Sequence, residues 1–192
     1  MALPLLLASK SPRRAELLRQ IGVEFDVLTI DVPEQRADGE SPADYVARLA
    51  CDKASAGAAR KPGCAILGAD TIVECSGQVL EKPRDQAHAA KMLSLLSGQT
   101  HRVHTAVALA CNDQVATVLV TSEVTFREIG ASEAARYWAT GEPQDKAGGY
   151  GIQGLGAVFV SHLSGSYSGV MGLPIAQTQQ LLQRLNIPCW QR

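Results

Sequence analysis

The sequence predicts an α/β fold built on a mixed β-sheet. Short apolar runs alternate with amphipathic ones, the signature of strands alternating with helices. Two pairs of β-rich segments are joined by turn residues, Cys75-Ser76-Gly77-Gln78 and Asn112-Asp113. Hairpins therefore interrupt the alternation, and the sheet cannot be purely parallel. The 192 residues are 46% apolar and 19% charged, enough for a packed core in one domain spanning 1–192.

Each element follows from a local signal. Residues 3–9 form an apolar strand, and 12–21 a helix closed by Gly22. Ser11 is a favourable N-cap, and Pro12 fits the first helical position. Phe25 to Ile30 reads as a second strand, followed by a polar loop from Asp31 to Glu40. Ser41-Pro42 repeats the start signal and opens a helix to about residue 60, with Gly57 weakening its last turns. Residues 64–74 are an apolar strand interrupted by Asp70. Asp85 caps a helix through Leu96 that Gly98 ends. Two β-rich stretches follow, 101–111 and 115–127, then a short helix over 132–140 that stops at Gly141. Residues 145–156 are glycine-rich, Ala157 to Leu163 is a strand, and Pro174 starts the last helix.

Composition narrows the function. The formal net charge is −1, whereas a whole-surface nucleic-acid binder is basic. A local cationic pocket for a small anion remains compatible. The cysteines number five and include no Cys-x-x-Cys, which argues for reduced thiols rather than a disulfide framework or zinc knuckle. The amino terminus lacks a basic n-region and a cleavage site, and no segment is long enough to span a bilayer. A cytoplasmic protein with no membrane partner is expected.

Ser9-Lys10-Ser11-Pro12-Arg13-Arg14 follows a strand and opens a helix. Two arginines in a first helical turn conflict with the helix dipole. A bound phosphate or carboxylate would offset the conflict, because free N–H groups point there. Two solvated arginines are the other reading. Asp70 stands in a run that should be buried, where an unpaired carboxylate would cost several kcal/mol. It must meet a cation, a metal or a wet cleft, unless it only ends a strand. Lys53 extends the apolar stripe of its helix and either snorkels to water or faces an anion. Glu34, in its polar loop, is a candidate magnesium ligand or a solvated acid. Glu81-Lys82-Pro83-Arg84-Asp85 is a stiffened cationic turn or an ordinary charged loop.

The stretch from Asp145 to Gly154 contains a formal G-x-G-x-x-G. It is not a dinucleotide-binding fingerprint, since no strand precedes it and a strand follows. Its glycines would let backbone approach a ligand, and Gln153 could read a base edge. His101 and His104 lie three apart on a strand and so make a poor metal pair. Ser164-Gly165-Ser166 lacks the frame of a hydrolase elbow.

Taken together, these segments resemble the Maf family of nucleoside triphosphate pyrophosphatases. The likeness covers about residues 5–186. It rests on Ala8-Ser9-x-Ser11-Pro12-Arg13-Arg14, Tyr45-Val46-x-Arg48-Leu49-Ala50-x-x-Lys53-Ala54, Gly68-Ala69-Asp70-Thr71, Glu81 to Asp85, Asp145-Lys146-Ala147-Gly148 and Gly172-Leu173-Pro174. The resemblance implies an elongated mixed sheet with helices forming two lobes around a cleft, and hydrolysis between the α and β phosphates. It implies a divalent metal, magnesium or manganese, held by Glu34 and Asp70, and a homodimer. It makes Asp70 the proton acceptor and places Ser9, Arg13, Arg14, Lys53 and Lys82 on the phosphates. Arg13, Thr71 and Gln153 resemble the branch acting on dTTP and UTP, where the sister branch carries Trp, Gln and Glu. A house-cleaning role on modified pyrimidine nucleotides is an enzymatic variant. The competing expectation is a non-enzymatic cell-division regulator using the same cationic pocket.

Overall fold

The computed structural model describes residues 3–191, so both ends of the expected 1–192 domain lie outside the described residues. In chain order the elements are β1 (Leu5–Ala8), α1 (Pro12–Gln20), β2 (Asp26–Val27), α2 (Pro42–Arg60), β3 (Ala65–Cys75), β4 (Gln78–Leu80), α3 (Gln86–Leu96), β5 (Thr100–Cys111), β6 (Gln114–Phe126), α4 (Ala131–Ala139), β7 (Val160–Ser164), α5 (Tyr167–Met171) and α6 (Ile175–Gln183). The described strands form a seven-stranded sheet in the order β2-β1-β3-β5-β6-β7, with β4 paired to β3. β1 runs parallel to β2 and β3, while β4 on β3 and β7 on β6 are antiparallel. The sheet is mixed, as expected.

Contacts divide the chain into two compact units. One comprises Met1–Asp70, Thr105–Val120 and Gly172–Arg192; the other comprises Thr71–His104 and Thr121–Met171. In the first unit, α2 starts on Ser41, whose Oγ accepts from the Asp44 N–H at 3.1 Å. Val46, Leu49, Ala50 and Ala54 bury one stripe of α2. Gly57, read from sequence as a weak point, is a packing requirement. A Cβ there would stand 2.6 Å from Ile66 Cγ2, and the helix continues past it to Arg60. Gly68 is tighter still, since its Cβ would lie 2.5 Å from the Ala50 carbonyl and 2.7 Å from the Ala54 nitrogen. The backbones of β3 and α2 therefore touch at this point.

The second unit has its own apolar core, including Val73, Leu80, Met92, Leu93, Leu96, Val103, Phe126 and Phe159. Tyr150 packs edge-on against Phe126 and His101, with centroids 4.7 and 5.5 Å away. Ser76 and Gly77 both adopt positive φ (51° and 76°), closing the two-residue hairpin between β3 and β4. Asp85 caps α3 through the His88 N–H at 2.7 Å.

Several boundaries differ from the sequence expectation. β2 spans two residues, pairing only with Leu6 and Leu7 of β1. Ser11 occupies the N-cap position of α1, but its side chain makes no capping bond. Its backbone N–H donates instead to Ser9 Oγ at 3.2 Å. Asp70 lies inside the eleven-residue β3 and not at a strand end. β7 starts at Val160, because Leu155–Phe159 is wound into a 3-10 turn. The short helix α5 went unforeseen; Ser166 Oγ accepts the Gly169 N–H at its start. His101 and His104 do have separate partners, Tyr150 for the first and Glu74 with Thr121 for the second. All five cysteines are free thiols.

His101 gives the fold a pH dependence. Burial holds its ring at about 4, below the ordinary histidine value. Its Nδ1 is buried with no hydrogen-bond partner. The folded ring is neutral where the unfolded one, near pKa 6.5, takes up a proton. The stabilisation is therefore complete above pH 6.5 and is lost as pH falls toward 4. Its size is on the order of 3 kcal/mol at most. Urea titrations of the wild type across that window should show the decline, and His101→Gln should flatten it. Equal slopes in the two proteins would assign the acid sensitivity to other groups.

Candidate active site

The first unit assembles Arg13, Arg14, Glu34, Lys53 and Asp70 from four segments. β1 delivers the chain to Ser9, which is buried at 9% exposure. α1 then presents Arg13 and Arg14, both half-buried, in its first turn. Arg14 Nη1 donates to Ser9 Oγ at 3.1 Å, and its Nε donates to the Gly172 carbonyl at 2.8 Å. Gly172 has φ +116°, a region that favours glycine. Burial pushes the Arg14 guanidinium below its ordinary value, Asp70 and Glu34 push it back up, and Arg13 pushes it further down. It remains charged at any working pH. These mutual influences put Arg13, Arg14, Glu34 and Asp70 in one electrostatic neighbourhood.

Lys53 is its centre. Three residues beyond Ala50 on α2, it belongs to the buried face of the helix. Asp70 stands two residues beyond Gly68, hence on the same face of β3. The backbone contact at Gly68 thus brings helix and strand close enough for the side chains to meet. Lys53 Nζ donates to Asp70 Oδ1 at 2.6 Å. The same ammonium pairs with Glu34 Oε1 at 2.7 Å. The Lys53 and Asp70 side chains are only 11% and 12% exposed, while Glu34 is 55% exposed. The acid in the apolar run has therefore found its cation, and the lysine in the apolar stripe faces two anions.

A further residue, quoted in the family-like motif but given no role there, shapes this site. Arg48 grips Glu40 with two bonds, Nε to Oε1 at 2.7 Å and Nη2 to Oε2 at 2.9 Å. Its Nη2 also reaches the Gln35 carbonyl, next to Glu34, at 3.0 Å. The hydrogen-bonded guanidinium holds the Glu40 carboxyl down at about 2. Arg48 thereby ties the loop carrying Glu34 to α2. No spacing rule reveals this, because the partners are joined by an irregular loop.

These features stand on a chain with clear relatives. Residues 4–185 match the model for the family described as Maf-like protein. The chain belongs to the Maf family. It is 59% identical over 191 residues to the "dTTP/UTP pyrophosphatase" of Saccharophagus degradans, covering 97% of this chain and 91% of that one. It is 55% identical to the protein of the same name from Shigella dysenteriae, covering 95% and 93%. The corresponding protein of Salmonella typhimurium is also 55% identical with the same coverage.

Three expected site residues of this Maf protein belong to the second unit. Lys82 is exposed beside the buried Pro83, Thr71 is half-buried in β3, and Gln153 is exposed among glycines. No helix among the described residues is long and apolar enough to cross a membrane. The Lys53 partners suit a hard divalent cation in donor type, since both are carboxylates converging on one point. Among the described residues no group of three or more His, Cys, Asp or Glu could hold a metal. A cation there would need further oxygen ligands from outside the protein, and substrate phosphates are the natural source.

The shared ammonium makes the two sides of the pair unequal. Lys53→Met removes the cation hydrogen-bonded to the buried Asp70 and paired with Glu34, and should cost about 3–5 kcal/mol of stability. Asp70→Asn leaves Lys53 paired with Glu34 and should cost under about 2 kcal/mol. Denaturant midpoints of the two variants test the order, and equal losses would refute the shared-cation account.

Proposed function

We propose that this Maf protein hydrolyses dTTP and UTP to the nucleoside monophosphate and pyrophosphate. The observation that carries the proposal is the meeting of Lys53 with Asp70 and Glu34, in the electrostatic neighbourhood of the arginines that open α1. Relatives 54–59% identical and named dTTP/UTP pyrophosphatase support the choice of substrate.

Cleaving a phosphoanhydride is chiefly a matter of position and charge neutralisation. Arg13, Arg14 and Lys53 supply positive charge for the triphosphate, with Ser9 and the first N–H groups of α1 as neutral donors. Lys82 contributes a further cation in the family pattern. Asp70 accepts the proton of the water that attacks the α-phosphorus. The bridging oxygen then leaves with pyrophosphate. Glu34 and Asp70 would hold magnesium or manganese, which supplies charge neutralisation on the phosphates when bound. Thr71 and Gln153, with Arg13, select the pyrimidine. The family likeness extends this reading to a cytoplasmic homodimer that takes free nucleotide and binds neither nucleic acid nor membrane.

Pyrophosphate release from a nucleotide panel with magnesium tests the proposal. dTTP and UTP should lead, and Asp70→Asn should lose about 10²–10⁴-fold in turnover while still binding nucleotide. Replacing Arg13, Thr71 and Gln153 by Trp, Gln and Glu should move preference away from dTTP. Nucleotide binding without turnover in the wild type would favour a regulator instead, and an unchanged profile in the triple variant would sink the specificity assignment.

A further inference from the structure

The backbone around Gln153 is held by a half-buried carboxylate, Glu142, that the proposed chemistry leaves unused. Glu142 follows the αL residue Gly141 (φ 80°) at the end of α4. Its Oε1 accepts from the Tyr137 hydroxyl at 2.7 Å and from the Gly156 N–H at 2.9 Å. Its Oε2 accepts from the Leu155 N–H at 2.8 Å. The Tyr137 oxygen in turn accepts from the Gly151 N–H at 3.0 Å. One tyrosine and one glutamate thus take the main-chain donors on both sides of Gln153.

The glycines of this segment are fitted to that pair. A Cβ on Gly156 would lie 2.6 Å from the Tyr137 oxygen, one on Gly151 2.9 Å from Glu142 Oε1, and one on Gly154 would overlap Glu142 Oε2. Gly151, Ile152 and Gly156 are buried, whereas Gln153 and Gly154 are exposed. Upstream, the ring of Tyr150 is pinned between Phe126 and His101, and its hydroxyl meets His101 Nε2 at 2.8 Å. Burial and the Glu142 bond both push the Tyr137 hydroxyl upward in pKa, so it stays a donor. Burial pushes Glu142 up too, but its hydrogen bonds outweigh that and hold it below the ordinary range.

We infer that Tyr137 and Glu142 are positioning residues that fix the Gln153 amide for base selection. The inference rests on the proposed pyrimidine-reading role of Gln153. A glutamine held by a slack glycine loop could rotate toward many partners. Clamped at Gly151, Leu155 and Gly156, it presents one donor and one acceptor in a set direction.

The test compares kcat/KM for dTTP and for dGTP in Tyr137→Phe, Glu142→Gln and Gln153→Ala, each with its thermal midpoint. Phe removes the hydroxyl that links Gly151 to Glu142. Gln must turn its amide NH2 toward either Leu155 or the Tyr137 and Gly156 donors, so at least one clamp bond is lost. Both should narrow the dTTP preference on the order of 10- to 100-fold, with the loss on dTTP falling mainly on KM. Combining Tyr137→Phe with Gln153→Ala should narrow it no further than Gln153→Ala alone. If Gln153→Ala narrows the preference but both clamp variants keep it in folded enzyme, the positioning role is wrong and the base-reading role survives. If Gln153→Ala itself leaves the preference intact, the base-reading role fails and the inference falls with it. Should Tyr137→Phe not fold, Glu142→Gln, which keeps the shape of the side chain, decides the matter.

Discussion

One ammonium group organises the first unit. Lys53 is drawn to a buried position by the apolar stripe of α2, and a buried lysine is tolerable only beside negative charge. Asp70 has the same problem from the other side, set in the middle of an apolar strand. Each solves the other's desolvation, and Glu34 adds a second, wetter partner. The pair is thus both a fold constraint and the centre of the proposed chemistry. Such a pair is expensive to build and offers nothing a leucine could not supply in packing, so its presence points to a reaction rather than to stability.

What the sequence disclosed was mostly local. Ser41-Pro42, Asp85 and the turns at Ser76-Gly77 and Gly98 announce themselves because capping and positive φ depend on a few adjacent residues. The helices accordingly fell close to their expected limits. β2 and β7 did not, since strand length depends on the partner and on what else claims the backbone. Ala157 to Phe159 were expected in the last strand but belong to the 3-10 turn Leu155–Phe159, which Glu142 anchors through the Leu155 and Gly156 N–H groups, thirteen and fourteen residues on.

The site was legible to a similar degree. Asp70 and Lys53 were conspicuous because each violates a hydrophobic pattern, and that violation is readable in one window. Glu34 was not, because a polar acid in a polar loop violates nothing. Arg48 and Glu142 act through long irregular connections and left no periodic trace. The motifs of the Maf family did what periodicity could not, by tying separated windows into one pattern.

The contact between β3 and α2 has a consequence for how this protein can change. At Gly68 the spacing between strand and helix is set by main-chain atoms of Ala50 and Ala54, with only the Ala54 methyl beside them. Side-chain cushions yield when neighbouring residues drift; backbone does not. The Lys53–Asp70 distance is therefore calibrated by the most incompressible material in the fold. Any route of laboratory evolution that thickens this seam must first realign Lys53 and Asp70.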